Sequence, residues 1–511
     1  MRRKILVSAL AAVLALGTLS GCGTNSGNPK TDSKADTESK KEENYEVVMQ
    51  WPAVGDAPSG LGDVEAAINE ITSSEGITVH LEPVGAFDLA NETSLAVSSG
   101  EKLDLCLSLY TGIGSLAGNG SIIELDDLIT EFGKDIVSVC GERQMTGGLY
   151  NGKTYGIPYH YVDGTNMGMV LRSDLLEKYG VKIDPEKYYS MEELTDIFTT
   201  IKEGEGNSFY IFAGGFTASS MLGSYINYDN LGQSEASGVL VLDDSGSTEI
   251  KNIFETSEFA EFADLMYQWN QAGFFSADAA TTNEDSGAQV ATGNYLGMFL
   301  SDAAGTTVNT YTLSTGYDMT YIKTQPATAR TSNYTSVLWS ISSTSENPEK
   351  AMTFLNMLYK NPDLANLLQY GIEGVSYQIL KSDEHGTVID VVEGETTTTV
   401  PYWQTFGVYG DRLSWDITAP ADTTLNEELK KFSDSVSFES PALGYSFNID
   451  NVSSQYSSVS SVVAQYLAIL QTGSIDPAKE LPEFLNALKT AGIEEVIAEN
   501  QKQFDSWLAQ Q

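Results

Sequence analysis

Residues Asn151–Tyr161 read N-G-K-T-Y-G-I-P-Y-H-Y, and the interpretation of the whole chain begins with this stretch. Asn151-Gly152 is a turn dipeptide, and Lys153–Tyr155 can begin a strand. Pro158 fixes φ and removes a backbone donor, so a central strand does not run through it undisturbed. The pattern fits a chain that passes from one lobe to another along the floor of a cleft. It also fits an ordinary hairpin within one sheet.

The run N-G-K-x-Y-G-I-P-Y resembles the crossover segment of family 1 extracellular solute-binding proteins, the lipoprotein receptors of bacterial ABC importers. E-N-P-E-K-A-M-x-F-L-N-M-L-Y from Glu346 and L-P-E-F-L-N-A-L-K-x-A-G-I-E-E-V from Leu481 are similar to the LipO-type subgroup. The resemblance spans Leu19 to Gln503, with weak patches at 200–290 and 380–400. It implies an α/β, two-lobed periplasmic-binding-protein-like fold (type 2), similar to maltodextrin-binding receptors, with hinge crossovers and a helical C-terminal extension.

The N-terminus has the pattern of a lipoprotein signal peptide over residues 1–22. Basic residues at positions 2–4 precede the apolar stretch Ile5–Leu19, which is shorter than the about 20 residues that span a bilayer. Leu19-Ser20-Gly21-Cys22 resembles a lipobox, in which Cys22 receives a diacylglycerol and becomes the first mature residue. The alternative is a soluble secreted protein with an incidental cysteine.

Residues 23–44 contain no aromatic residue and no Val, Ile or Leu. Such a segment buries too little apolar surface to offset its ordering entropy, so we expect a flexible tether. Together with Cys22, it predicts a palmitoylated protein anchored to the cell membrane at its extracellular face.

Alternating strand and helix patterns begin at Tyr45. Strand patterns at Tyr45–Gln50, Ile77–Leu81 and Leu103–Leu109 are separated by helical spacing, which predicts a parallel sheet with right-handed crossovers. We expect residues 45–155 and 327–375 to form one lobe. Residues 156–326 and 376–511, including the helical extension, are expected to form the other. Met319–Pro326 resembles the return crossover.

Composition and motifs exclude several classes of protein. The net charge of −42 argues against nucleic-acid binding, which needs a basic face. Cys106 and Cys140 are too few for a disulfide framework, although one bridge between them is open. The three histidines have no metal-ligand spacing, so no metal and no cofactor are expected. No nucleophile motif is found, and we expect no catalytic residue.

Aromatic residues at loop and crossover positions are the candidate ligand contacts. An aromatic face suits the apolar face of a pyranose ring, and neighbouring polar side chains suit its hydroxyl groups. For each residue taken alone, a place in the core or on the surface is the alternative. The predicted ligand-binding residues are Trp51, Tyr110, Tyr159, His160, Tyr161, Asp163, Asn166, Trp339, Trp403, Gln404, Tyr409, Asp411 and Arg412.

The expected function is a monomeric, membrane-anchored receptor that delivers a sugar or oligosaccharide to an ABC permease without covalent chemistry. A receptor of the same fold for a peptide or another organic solute is one alternative. A secreted glycoside hydrolase is the other alternative, because composition leaves open a pair of carboxylates in a cleft. With 70 acidic residues, however, such a pair is expected by chance and is not evidence for a hydrolase.

Overall fold

Two five-stranded sheets organise the part of the chain that the structure, a computed structural model, describes: residues 44–214, 218–243, 245–436 and 438–510. The predicted signal peptide, the lipidation at Cys22 and the tether up to residue 43 lie outside these residues. Within them, no helix combines the length and the apolar character that crossing a bilayer requires.

The strands of the two sheets are numbered here in chain order. They are β1 (Tyr45–Ala53), β2 (Ile77–Gly85), β3 (Leu105–Leu109), β4 (Ile157–Pro158), β5 (Thr165–Arg172), β6 (Tyr210–Phe212), β7 (Tyr295–Asp302), β8 (Met319–Ala329), β9 (Val337–Ile341) and β10 (Phe438–Glu439). The first sheet has the order β2-β1-β3-β9-β4, and the second has the order β10-β8-β5-β7-β6.

The central strands of the first sheet are apolar because both faces of the sheet are covered there. All five residues of β3 are buried, and so are all five of β9. β1 pairs in parallel with β2, where Met49 lies opposite Leu81, and β1 also pairs in parallel with β3. β9 is antiparallel to β3 and β4. The predicted strand–helix alternation and parallel pairing are therefore confirmed.

The chain passes between the sheets three times. It leaves the first sheet after Pro158, returns at Val337, and pairs with the second sheet again at Phe438. The opening stretch contains both of the expected features, a crossover and a hairpin. Leu149–Tyr150 and Lys153–Thr154 form a small hairpin immediately before β4, where the chain leaves the first sheet. The sequence thus signals a turn and a crossover within a few residues.

The predicted return crossover at Met319–Pro326 is wrong. These residues belong to β8, which pairs with β5 inside the second sheet, for example Tyr321 opposite Val170. The return instead occupies residues 330–336, which include the short helix Thr331–Thr335. The sequence pattern misplaced the crossing, because β8 is itself extended and partly polar along its length.

Helices cover the sheets and form the C-terminal region. Around the first sheet they are Leu61–Thr72, Leu89–Ser99, Gly114–Gly118, Asp126–Phe132, Lys134–Met145, Pro348–Lys360 and Pro362–Tyr370. Those of the middle of the chain are Ser173–Lys178, Met191–Glu205, Ala218–Tyr225, Ser257–Gln271, Ser286–Ala291 and Thr306–Thr315. The later helices are Leu425–Ser435, Ser453–Gln471, Pro477–Ala491 and Ile493–Leu508.

Two large hydrophobic clusters define the lobes, which we call the first lobe and the second lobe after their sheets. The second cluster includes residues of the last three helices, such as Val459, Phe484 and Val496. The prediction that all of residues 376–511 belong to the second lobe is wrong for residues 389–415. Ile389 and Trp415 pack in the first cluster. A small sheet formed by Tyr377–Ser382, Thr387–Val391 and Ile417–Thr418 carries this part of the chain. The exact lobe boundaries remain a prediction.

The helix Met191–Glu205 begins with a capping box. The Ser190 hydroxyl accepts a hydrogen bond from Glu193 N at 3.2 Å, and the Glu193 carboxylate accepts one from Ser190 N at 3.0 Å. Both backbone donors would otherwise lack a partner within the helix. The pattern S-M-E-E in the sequence therefore marks a true helix start.

Replacing Ser190 with alanine is expected to lower the free energy of unfolding by about 1 kcal/mol, because the N–H group of Glu193 loses its acceptor. The midpoint of urea denaturation measures this loss. Ser190→Asp, which supplies an acceptor at the same place, is the control and should keep most of the stability. Equal losses for both variants would contradict a capping role.

Candidate ligand-binding site

Three large apolar side chains lie exposed just beyond the carboxyl ends of the parallel strands β1, β2 and β3. They are Val54, Phe87 and Tyr110, whose side chains are 64%, 84% and 60% exposed. Ligands of open α/β sheets bind at this edge. Tyr110 was predicted as a contact, whereas Val54 and Phe87 were missed, although their positions directly after strand patterns were a usable signal.

Tyr110 lies where the first sheet meets the returning chain. Its φ is 58°, a left-handed conformation that is uncommon for a residue with a side chain. Its backbone N–H donates a hydrogen bond to Ser336 O, at the end of the crossing. The unusual backbone turns the ring out of the sheet and towards the space beyond the strand ends.

A cavity of about 430 Å³ lies beside Tyr110 and has walls from both lobes and from the returning crossing. Its lining includes Tyr110, Thr165, Asn230, Ser301, Arg330 and Phe447. Gln233 Nε2 of the second lobe donates a hydrogen bond of 3.3 Å to Thr111 O of the first lobe, which joins the two sides of the cavity. We call this space the cleft cavity.

Buried polar groups form the floor of the cleft cavity. The Asp229 carboxylate accepts hydrogen bonds from Thr331 N at 3.0 Å and from Thr331 Oγ1 at 2.8 Å. Burial raises the pKa of Asp229, although the Thr331 donors oppose that rise. The Asn230 side-chain oxygen is buried and has no hydrogen-bond partner among the described residues.

Arg330 stabilises the returning crossing beside the floor of the cleft cavity through hydrogen bonds. Its Nε donates to Tyr228 O at 2.9 Å, and its Nη2 donates to Asn227 Oδ1 at 2.7 Å. Burial lowers the pKa of Arg330, and the nearby Asp229 opposes that change. The guanidinium group therefore fixes the returning chain against the second lobe.

A second group of predicted residues lies at the first crossing. Tyr159 and Tyr161 stack with ring centroids 6.2 Å apart, and the Arg412 guanidinium lies 4.5 Å from the centroid of the Tyr161 ring. His160 Nδ1 lies 2.6 Å from Asp411 Oδ1. Main-chain hydrogen bonds between His160 and residues 410 and 412 hold the first crossing against the segment 410–412.

The environment of this aromatic group changes the acidity of Tyr159. Burial raises the pKa of Tyr159 to about 12, and the charges of Arg412, Tyr161 and Tyr110 also act on that hydroxyl. Arg412 itself is exposed. The structure therefore brings together five of the predicted residues, which are Tyr159, His160, Tyr161, Asp411 and Arg412.

Two predicted polar residues connect structural elements. Asp163 Oδ1 accepts hydrogen bonds from Gln144 Nε2 at 2.9 Å and from the Tyr334 hydroxyl at 3.1 Å, which joins the two crossings. Asn166 is buried in β5, and its Nδ2 donates to Gln325 O in β8. Both side chains therefore have hydrogen-bond partners within the protein, and their roles as ligand contacts remain predictions.

Four predicted contacts lie in the core of the first lobe: Trp51, Trp339, Gln404 and Tyr409. Trp51 Nε1 donates to the Tyr402 hydroxyl, and Trp339 Nε1 donates to Val408 O. Because these side chains are at most 3% exposed and their polar atoms are paired, they present no surface to a ligand. Trp403 is half-buried, with its ring centroid 5.1 Å from that of Tyr370. The segment 402–409 thus packs largely against the first sheet.

Asp229, Asn230 and Arg330 are the site residues that the sequence analysis missed. Y-D-N at 228–230 lies in a patch where the family resemblance is weak, and Arg330 lies just beyond the crossover that was placed too early. Elsewhere, Cys106 and Cys140 are both buried free thiols. Among the described residues, no group of His, Cys, Asp and Glu has the arrangement of a metal site.

Residues 66–379 match the family model of the bacterial extracellular solute-binding proteins. The chain belongs to this family. Residues 441–509 of this solute-binding protein match a second model, which is described as a domain of unknown function. The resemblance found in the sequence is thereby confirmed.

Two relatives come from Streptococcus pneumoniae. A carbohydrate ABC transporter substrate-binding protein is 28% identical over 522 aligned residues, which cover 99% of this chain and 98% of the relative. The crystal structure of the N-glycan transport solute binding protein NgtS is 26% identical and has a TM-score of 0.76, covering 91% of this chain and 99% of NgtS. NgtS in complex with Man5GlcNAc has a TM-score of 0.67. The likeness confirms the two-lobed α/β fold with C-terminal helices.

Proposed function

We propose that this solute-binding protein is a membrane-anchored receptor that binds an oligosaccharide in the cleft cavity and delivers it to an ABC permease. The observation that carries the proposal is the exposed ring of Tyr110 beside a cavity whose walls come from both lobes. An apolar ring face and a rim of polar groups match the two surfaces of a sugar. The names of the S. pneumoniae relatives support the same class of ligand.

Binding requires no covalent step. A ligand held between two lobes loses water on both sides, and it stabilises the closed arrangement by its contacts with both. The three passages of the chain between the lobes are compatible with such a movement, because few segments have to bend. The permease then recognises the closed, loaded form. The receptor acts as a monomer and needs no cofactor.

The anchor is the acylated Cys22, and residues 23–44 form the tether that holds the receptor at the extracellular face of the membrane. More than one acyl chain is needed for stable attachment, and a bacterial lipoprotein carries two or three. The tether lets the binding lobes reach the permease while the lipid stays in the bilayer.

The arrangement of the carboxylates favours a receptor over a glycoside hydrolase. Of the described residues that line the cleft cavity, Asp229 bears the carboxylate, and Thr331 already supplies it with hydrogen-bond donors. A glycosidase places two carboxyl groups on either side of the scissile bond. A peptide receptor of the same fold differs in the ligand it accepts, so it has to be separated by experiment.

Titration of the full-length, purified protein with Man5GlcNAc and with a pentapeptide pool tests the proposal. At a glycan concentration of 100 times Kd, the folded protein should gain about 2.7 kcal/mol, which is read as a rise in melting temperature. Chromatography of the glycan after prolonged incubation should show it unchanged. A shift with peptides and none with the glycan would contradict the proposal, and so would release of free sugar.

A further inference from the structure

The region 441–509 contributes directly to the cleft cavity. Its three helices pack mainly against the second lobe, where Val459, Leu488 and Val496 are buried in the second hydrophobic cluster. The segment that precedes them, Tyr445–Ile449, instead reaches the cavity: Tyr445, Ser446, Phe447 and Ile449 line it. A region without an assigned role therefore supplies part of the surface that a ligand would meet.

The same segment also faces a second cavity. That cavity has a volume of about 360 Å³ and is lined by Tyr445, Ser446 and Asn448, together with Tyr150, Asn151 and Trp507. Phe447 lines the cleft cavity, whereas its neighbour Asn448 lines the second one. Residues 445–448 thus form a partition with a cavity on each side.

Helix Ile493–Leu508 fixes the partition at two points. The Tyr445 hydroxyl donates to Asn500 Oδ1 at 2.7 Å, and Asn500 Nδ2 donates to Ser237 O at 2.7 Å. Gln503 Oε1 accepts from Asn448 N at 3.0 Å, and its Nε2 donates to Asn448 O at 2.9 Å. Asn500 and Gln503 are three positions apart and so share one face of the helix.

The other side of the partition touches the first lobe. A Cβ atom placed on Gly112 or Gly114 would lie 3.7 or 3.6 Å from the Ser446 Oγ, and one on Gly118 would lie 3.6 Å from Asn448 Nδ2. Gly112 and Gly114 follow Tyr110 closely beyond the carboxyl end of β3, and Gly118 ends the short helix Gly114–Gly118. The partition therefore lies between the helix and the first lobe, with the cleft cavity on one side and the second cavity on the other.

We propose that residues 445–449 are the end wall of the ligand cleft, and that the region 441–509 sets the length of the oligosaccharide the receptor accepts. This inference rests on the proposed function. Phe447 presents its ring to the last sugar of the chain, and Asn500 and Gln503 act as positioning residues that hold the wall in place. The cavity behind the wall is the space that a longer glycan would enter if the wall were shortened.

Variants inside and outside the wall test the assignment. Kd values for Man1GlcNAc and Man5GlcNAc are measured by isothermal titration calorimetry on the full-length protein. Phe447→Ala should raise the ratio of Kd for Man1GlcNAc to Kd for Man5GlcNAc at least fivefold, because the opened end favours the larger glycan. Asn451→Ala, which lies outside residues 445–449 and lines the second cavity but not the cleft cavity, should leave the ratio within twofold. Gln503→Ala should raise this ratio of Kd values in the same direction as Phe447→Ala. If Gln503 only stabilised the fold, its loss would not change the ratio.

Ser446→Gln adds bulk to the wall and keeps the proposal testable if Phe447→Ala does not fold. It should lower the ratio at least fivefold, since the longer glycan loses more room. If both glycans bind the wild type but Phe447→Ala and Ser446→Gln leave the ratio within twofold, the wall assignment is overturned while the proposed function stands. If the wild type binds neither glycan, the proposed function falls and the wall assignment falls with it.

Discussion

Replacing Tyr110 with alanine is expected to weaken the binding of the proposed oligosaccharide ligand tenfold to a hundredfold, about 1.4–2.8 kcal/mol. The ring is 60% exposed at the edge of the cleft cavity, so its face is available to stack on a sugar. Because the side chain packs little in the ligand-free protein, its loss should leave the melting temperature nearly unchanged. Isothermal titration calorimetry and a thermal melt of the same preparation give both quantities.

Two further variants separate stacking from other effects. Tyr110→Phe keeps the ring and should retain most of the affinity, with a loss confined to any hydrogen bond made by the hydroxyl group. Tyr188→Ala removes another exposed tyrosine, 48% exposed, which does not line the cleft cavity, and should have no effect on binding. Unchanged affinity in Tyr110→Ala, or an equal loss in Tyr188→Ala, would remove Tyr110 from the site.

The second large effect is expected at Gly148, which lies directly before the small hairpin that leads to the first crossing. A Cβ atom at this position would be 1.8 Å from Gly156 O. The same two residues are already joined, because Gly148 O accepts hydrogen bonds from Tyr155 N at 2.8 Å and from Gly156 N at 3.3 Å. The contact is between main chains, so no side-chain rotation relieves it. Gly148→Ala should cost about 3 kcal/mol of stability.

Gly62→Ala is the matched control for this substitution. Gly62 lies in the helix Leu61–Thr72, and no atom would lie within 4 Å of an added Cβ. Alanine there should stabilise the protein by about 0.5–1 kcal/mol through a lower entropy of the unfolded chain and better helix propensity. Urea denaturation of both variants gives the two signs. A Gly148→Ala protein as stable as the wild type would show that the hairpin shifts without penalty.

Much of the fold could be predicted because its signals are local. The alternation of strands and helices from Tyr45 to Leu109 predicts the parallel part of the first sheet. The serine and glutamate of the capping box at Ser190 lie within one helical turn. The opening stretch at Asn151–Tyr161 joins a turn dipeptide to a proline, and both features act through the backbone of neighbouring residues.

The site could be predicted only in part, because the direction of a side chain depends on distant partners. Trp51 was expected to face a ligand, yet its indole N–H bonds to Tyr402, 351 positions away. Trp339 turns inward in the same way, towards Val408 O. Tyr110 was correctly expected at a strand end, but its outward direction depends on a left-handed backbone that its residue type does not specify.

The position of β9 has a consequence for the synthesis and export of the protein. Val337–Ile341 lies between β3 and β4 in the first sheet, and Trp339 fills the centre of that core. A chain that emerges N-terminus first has therefore made β5 to β8 before it has made the strand that completes its first sheet. Pairing of such distant segments is slow. The first sheet stays unfinished while translocation proceeds, and it is completed only after β5 to β8 of the second sheet have crossed the membrane.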